Sequence, residues 1–403
     1  MKAVMYGGGN IGRGFIGLLF SQSGYDVTFI DVAEPVVDAL NREKRYPVRY
    51  VSTDKKEDIF VEPVSAVNGN DAELAAQTIA DADIMATAVG VRILKFIAPN
   101  IAAGIRMRMQ KGGKPLDIII CENLIDADKL LDSLIREHLT EEEQRWFEKH
   151  IGLVEASIGR MVPVQTEEMK DGNLLRVCVE RYGFLPVDKS AFKGPIPEIK
   201  NMVPYTPFGF YIERKLYIHN MGHAVCAYLG GYLGKEYIYQ AIDDSDIQYI
   251  VENAMLESAR AAARQYGADL EQLLLHVQDL LARFTNEALQ DTCGRVGADP
   301  ARKLSRRDRL IGASMLCVEQ GICPAYIFLG TAGAVYRYLE EQKEEQSMEQ
   351  AVKVLRELSG LNETAGEAAG ILEFYEMFCR GASVKEMKQR AQKMEAEYLG
   401  DII

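Results

Sequence analysis

Short apolar runs alternate with amphipathic stretches through the first half of the chain. Lys2–Tyr6 is apolar and ends in glycines, and 26–30, 84–88 and 118–121 repeat the run. Between them, 12–22, 36–42 and 73–80 read as amphipathic helices. Strand, helix, strand in this order predicts a parallel α/β sheet. The segment 130–150 is polar, charged and helical in period, and 152–157 and 174–179 read as further strands. From about residue 206 the pattern changes. Apolar residues now recur at three- and four-residue steps, which predicts helices over 210–229, Ser245–Tyr266, 270–286, 306–319, 332–341, 348–358 and 365–378. A charged helical tail follows over 384–398. The stretch 186–204, rich in Pro, Gly and Lys, marks the boundary between the two halves.

Gly7-Gly8-Gly9-Asn10-Ile11-Gly12 fits GxGxxG, directly after a strand and opening a helix. The first glycine permits the turn, the second lets backbone approach a diphosphate, and the third packs helix on strand. The helix N-terminus adds unpaired N–H groups and partial positive charge. Asp31, at the end of the next strand, is placed to accept the ribose hydroxyls and would repel a 2′-phosphate. No arginine follows in Val32-Ala33-Glu34, so NAD is favoured over NADP. Thr87-Ala88-Val89-Gly90 and Cys121-Glu122-Asn123 also end strands, where ligands of open α/β sheets bind. Thr87 and Val89 are expected over the cofactor. Asn123 is expected near the nicotinamide ribose or the reacting oxygen. The architecture expected is a Rossmann-type NAD-binding domain over 1–200 and a mostly α-helical substrate domain over 201–403.

Composition narrows the class. There are 46 basic and 59 acidic residues, a formal charge of −13, which disfavours a nucleic-acid binder. The seven cysteines show no CxxC spacing, so neither a disulfide scaffold nor a zinc knuckle is expected. No apolar run approaches membrane-spanning length, and the N-terminus does not read as a signal peptide. A cytoplasmic protein with reduced thiols is expected.

The richest chemistry lies in Lys215-Leu216-Tyr217-Ile218-His219-Asn220-Met221-Gly222-His223. On a regular helix with Lys215 at zero, His223 falls near about 80° and Asn220 near about 140°. One side then carries an amine, an imidazole and a carboxamide. Burying them is costly without partners or substrate. A desolvated lysine has a lowered pKa and can act as a general base. A snorkelling lysine with two hydrogen-bonded core residues has the same spacing. His219, at roughly 40°, is either a second polar group at the site or a surface histidine.

Lys-x4-Asn-x2-His resembles the signature of the polyol-specific long-chain dehydrogenases, the mannitol dehydrogenase family. GGGNIGRGFIG, TAVG, CEN, ERKL, GHAVCAYLG and the RVG–P–RKLS–DRL segment of 295–310 are similar too, so the resemblance runs from residue 1 to about 380. It implies a zinc-independent, NAD(P)-using oxidoreductase with substrate in a cleft against the helical domain. Lys215 would be the acid/base. Asn220 and Asn123 would hold the oxygen that alternates between alkoxide and carbonyl, and His223 would orient substrate or lysine. The implied reaction is D-mannitol 1-phosphate to D-fructose 6-phosphate. An unphosphorylated polyol or a hexuronate is the rival substrate, and a non-catalytic NAD sensor the rival of another class. Gly159 stands where the family commonly has aspartate.

A basic cluster, Arg295, Arg302, Lys303, Arg306, Arg307 and Arg309, interrupts the acidic chain. Guanidinium groups suit bidentate phosphate binding. The resemblance implies that Arg302 and Lys303 reach the active-site mouth, and with Arg295 they are the expected phosphate ligands. A solvated face with local ion pairs, such as Asp299 with Lys303, is the alternative.

Overall fold

A strand covered on both faces needs apolar residues on both, and Lys2–Tyr6 (KAVMY) is buried from its second residue onward. It is the centre of a six-stranded, wholly parallel sheet in the computed structural model, which describes residues 1–53, 55–362 and 365–400. Residues 401–403 of the expected helical domain lie outside the described residues. The sheet order is Val64–Asn68, Asp26–Asp31, Lys2–Tyr6, Ile84–Thr87, Leu116–Ile120, Ile151–Glu155. In chain order that is 3-2-1-4-5-6, the doubly wound dinucleotide-binding arrangement, with its switch point between Lys2–Tyr6 and Ile84–Thr87. Phe15, Phe20, Phe29 and Tyr46 pack on one face. Ile79, Ile97, Ile101, Leu131 and Phe147 pack on the other.

The chain divides into two compact units, Met1–Gly209 and Phe210–Ile403. In the first, the expected single helix over 130–150 is two, Ala127–Arg136 and Glu141–His150. The second restarts at Thr140. Its hydroxyl accepts the Glu143 N–H while the Glu143 carboxylate accepts the Thr140 N–H. Val177–Val179 falls in the strand expected over 174–179, but it joins Tyr46–Val51 and Lys56–Val61, which the sequence pattern did not announce, in a small second sheet.

The second unit is helical. Met221–Tyr232 is nearly all buried, and small residues let its neighbours come close. A Cβ at Gly222 would lie 2.5 Å from the Met255 side chain, and one at Gly330 would lie 2.3 Å from Val225 Cγ2. Ser245–Tyr266 and Ala325–Gln342, which bring Met255 and Gly330, therefore pack directly on it. Ala325–Gln342 starts earlier than expected because Pro324 ends the preceding chain and Glu257 caps the new helix. The Glu257 carboxylate accepts the N–H groups of Tyr326 and Ile327 at 3.0 and 3.1 Å. Conversely, the helix expected from 306 begins only at Ile311, and Pro300–Lys303 is a separate turn. No described helix is long and apolar enough to cross a membrane.

Gly330→Ala is expected to lower stability by about 1–3 kcal/mol, because overpacking here must displace Val225. Thermal unfolding checks it; an unchanged Tm would contradict the close helix contact.

Candidate active site

In the first unit the glycine loop is shaped by contacts that exclude any side chain. Gly7 has φ +103°, and a Cβ there would lie 2.5 Å from the Ala88 carbonyl oxygen. A Cβ at Gly12 would lie 1.9 Å from the Gly7 carbonyl oxygen. Gly9 is different: it is exposed, and nothing lies within 4 Å of where its Cβ would be. Two glycines thus serve the fold, and the third keeps a clear approach for a diphosphate, as the loop's chemistry requires. Asn10 is exposed beside it and Ile11 is half-buried. Asp31 is anchored rather than loose. Its Oδ2 accepts the Gly8 N–H at 2.6 Å and its Oδ1 the Ala33 N–H at 2.9 Å. That sets a fixed negative charge at the strand end, suited to ribose hydroxyls.

Two residues that spacing did not single out hold these loops. Arg13 is buried; its Nε donates to the Gly8 carbonyl at 2.6 Å and its Nη1 to Leu175 at 2.5 Å. Burial draws its pKa down from the ordinary guanidinium value. Glu122, also buried, accepts the Val89 N–H at 3.0 Å and the Gly90 N–H at 2.8 Å. It ties the loop after Ile84–Thr87 to the loop after Leu116–Ile120. Val89 is half-buried and Thr87 fully buried in that neighbourhood, while Asn123 is exposed at the next strand end. The only signal for Glu122 was its place beside Asn123 at a strand end. Gly159 is crowded: a Cβ there would meet the Tyr182 ring at 3.1 Å.

In the second unit the helix bearing Lys215 is not regular. Arg214–Asn220 is a π-helical turn, and the Met221 N–H reaches back to the Leu216 carbonyl. Such turns are rare insertions in α-helices and frequent at functional sites. In that five-residue register Lys215 and Asn220 stand roughly one turn apart on one side. The regular wheel, which separates them by about 140°, does not apply. Lys215 is half-buried. Desolvation, then the charge of Arg309, brings its pKa down to about 8.

His223 stacks on Phe284, ring centroids 4.7 Å apart. Its Nε2 lies 3.4 Å from Asp291 Oδ2. Asp291, which the sequence reading passed over, is itself held by Arg295, whose Nε donates at 2.8 Å and Nη2 at 2.5 Å. Burial lowers the His223 pKa to about 4 against the opposing pull of Asp291, so the ring is neutral near pH 7. His219 is buried, 6.1 Å from the rings of both His223 and Phe284. Burial, then Arg283, pushes its pKa well down.

The basic segment is less free than its composition suggests. Arg302 pairs with Asp299 at 3.1 Å, so the ion pair expected of Lys303 belongs to its neighbour. Lys303 is buried with its ammonium on the Ala298 carbonyl, and desolvation, then Arg309, lowers its pKa to about 8.

Comparison with known proteins adds to this geometry. The chain matches the mannitol dehydrogenase Rossmann domain over 1–201 and the mannitol dehydrogenase C-terminal domain over 209–392. It is 40% identical over 370 residues to a mannitol-1-phosphate 5-dehydrogenase of Brevibacillus brevis, covering 92% of this chain and 95% of that one. The fold is shared with Pseudomonas fluorescens mannitol 2-dehydrogenase, solved with NAD and D-mannitol: TM-score 0.76, 14% identity, 98% of this chain and 94% of that one. A D-sorbitol dehydrogenase gives TM-score 0.79 at 14% identity, with 96% and 94% covered.

The three loop glycines predict separable effects. Gly12→Ala should lower Tm, because its Cβ overlaps the Gly7 carbonyl. Gly9→Ala should leave Tm in place and weaken NADH binding, measured by fluorescence titration. A Gly9→Ala protein with full NADH affinity would show that the cradle is not where the dinucleotide binds.

Proposed function

The chain belongs to the mannitol dehydrogenase family, and from that premise we propose that it interconverts D-mannitol 1-phosphate and D-fructose 6-phosphate with NAD. The observation that carries the proton chemistry is the half-buried Lys215 on its π-turn, with a pKa near about 8. The choice of substrate is supported by the 40% identical relative of that name.

The glycine loop, Gly7 to Gly12 with Asn10 and Ile11, would hold the diphosphate of NAD. Asp31 would hold the adenosine ribose, and Thr87, Val89 and Asn123 the nicotinamide end. NAD held by these residues would supply the acceptor for the hydride of C5 of the hexitol. Lys215 in its neutral form takes the proton of the C5 hydroxyl, and the O–H electron pair left on the oxygen forms the carbonyl bond as the hydride leaves C5. Asn220 would donate an N–H group to that oxygen as negative charge builds on it. His223 stays neutral and is oriented by Asp291, so it positions rather than titrates. No metal is needed on this reading, because the lysine's lowered pKa supplies the base. The segment of Arg295, Arg302 and Lys303 is the proposed receiver of the phosphate.

The lysine must be neutral to oxidise and charged to reduce. Alcohol oxidation is therefore favoured above about pH 8 and ketose reduction below it. The experiment is NADH oxidation at matched concentrations of fructose 6-phosphate, fructose, fructuronate and tagaturonate. Turnover should be strong with fructose 6-phosphate alone. Lys215→Met should cut kcat by about 10²–10⁴-fold with NADH affinity retained. A preference for an unphosphorylated ketose or a uronate would overturn the substrate. A Lys215→Met enzyme of undiminished kcat would overturn the mechanism.

A further inference from the structure

Six cations lie between Arg295 and Arg309, and their donors are used unequally. Arg295 places two nitrogens on Asp291. Arg302 faces Asp299, with 49% of its side chain exposed. The Lys303 ammonium is engaged by the Ala298 carbonyl. Arg306 and Arg307 are exposed, where water and salt screen any anion they meet. Arg309 differs from all of these. Its side chain is only 13% exposed, and its Nε donates to Asp308 Oδ1 at 2.8 Å. The same oxygen accepts the Arg309 backbone N–H at 2.6 Å. The guanidinium is thus pinned at its inner nitrogen, while its two terminal nitrogens have no protein acceptor among the described residues.

A mostly buried guanidinium with unused donors is prepared for a planar, bidentate anion. Its place in the fold suits a substrate anion. Arg309 precedes the helix Ile311–Glu319, which lies against the lysine-bearing turn. A Cβ at Gly312 would be 2.6 Å from the Tyr217 hydroxyl, which donates to the Arg307 carbonyl at 3.4 Å. The Arg309 charge reaches Lys215, His223 and Lys303, lowering the pKa of each. The low local dielectric that makes this field felt also strengthens its hold on an anion.

We propose that Arg309 is the principal anchor of the substrate's phosphate, its two free terminal nitrogens taking two oxygens of the phosphate monoester. This rests on the proposed hexitol-phosphate substrate, whose phosphate stands on C1, away from the reacting C5. An anchor at the start of the helix Ile311–Glu319, whose charge reaches the lysine, suits that separation. A carboxylate at the same end of a hexuronate would present similar chemistry, so the test carries both anions.

R309Q and R309K are compared with the wild type, with NADH titration as the check that each variant is intact. The ketoses are fructose 6-phosphate, fructuronate and fructose. R309Q should raise the KM for fructose 6-phosphate by about 10–100-fold, and its preference for fructose 6-phosphate over fructose should fall with it. R309K, which keeps charge but loses the fork, should fall between. Inorganic phosphate should compete with fructose 6-phosphate in the wild type and lose potency in R309Q. Equal losses on fructose 6-phosphate and fructose would overturn the anchor, as would an unchanged KM in an intact R309Q. A loss confined to fructuronate would make the site a carboxylate anchor and overturn it likewise. A wild type inert on fructose 6-phosphate would overturn the substrate reading itself, and that is seen before any variant is compared.

Discussion

An amine that is to act as a base near neutral pH must be kept from the water that would hold its proton. On the proposed mechanism, desolvation of Lys215 is the constraint on which the helical unit's chemistry depends. The ammonium loses hydration and sits in the field of Arg309, both of which favour the neutral form. Such a position requires a helix enclosed by others, and that enclosure depends on small residues. Gly222 admits the Met255 side chain, and Gly330 admits Val225. The same enclosure lowers the His223 pKa, against the opposing pull of Asp291 at 3.4 Å.

The first unit solves a different problem with backbone. A diphosphate needs N–H groups and room, and the glycine loop of this unit offers both. Gly9 leaves the space, while Gly7 and Gly12 allow the loop to fold tightly enough to create it. Arg13 and Glu122 then fix the two adjoining loops from beneath through backbone carbonyls and N–H groups. Each buried charge is matched to backbone dipoles rather than to a counter-ion, which satisfies it without adding a mobile side chain to the site.

Much of this was legible in the sequence for a physical reason. Gly12 is forced by the Gly7 carbonyl in the same loop, the GxGxxG pattern marks the other two, and the sheet follows from runs buried on both faces. The helical unit follows from a period sustained over long segments. What was not legible depends on register or on distance. A π-turn has the same residues as an α-turn, so the relation of Lys215 to Asn220 could not be read from a wheel. Asp291 and Glu122 act across long stretches of chain, and no local pattern marks such partners. The basic cluster was visible as charge. Which arginine is consumed by Asp291, Asp299 or Asp308 depends on how the loop folds. Of the small second sheet only the strand within 174–179 was legible; Lys56–Val61 is mostly exposed and carries no apolar run to mark it.

The central claim is that this fold makes one lysine a base, and its proton affinity is directly measurable. The pH dependence of Lys215 acylation by a small amine-specific reagent, followed by peptide mass spectrometry, reports that affinity in the intact protein. Half-reaction near pH 8 is predicted. A value at the ordinary 10.5 would mean that the lysine is hydrated, and would contradict the account.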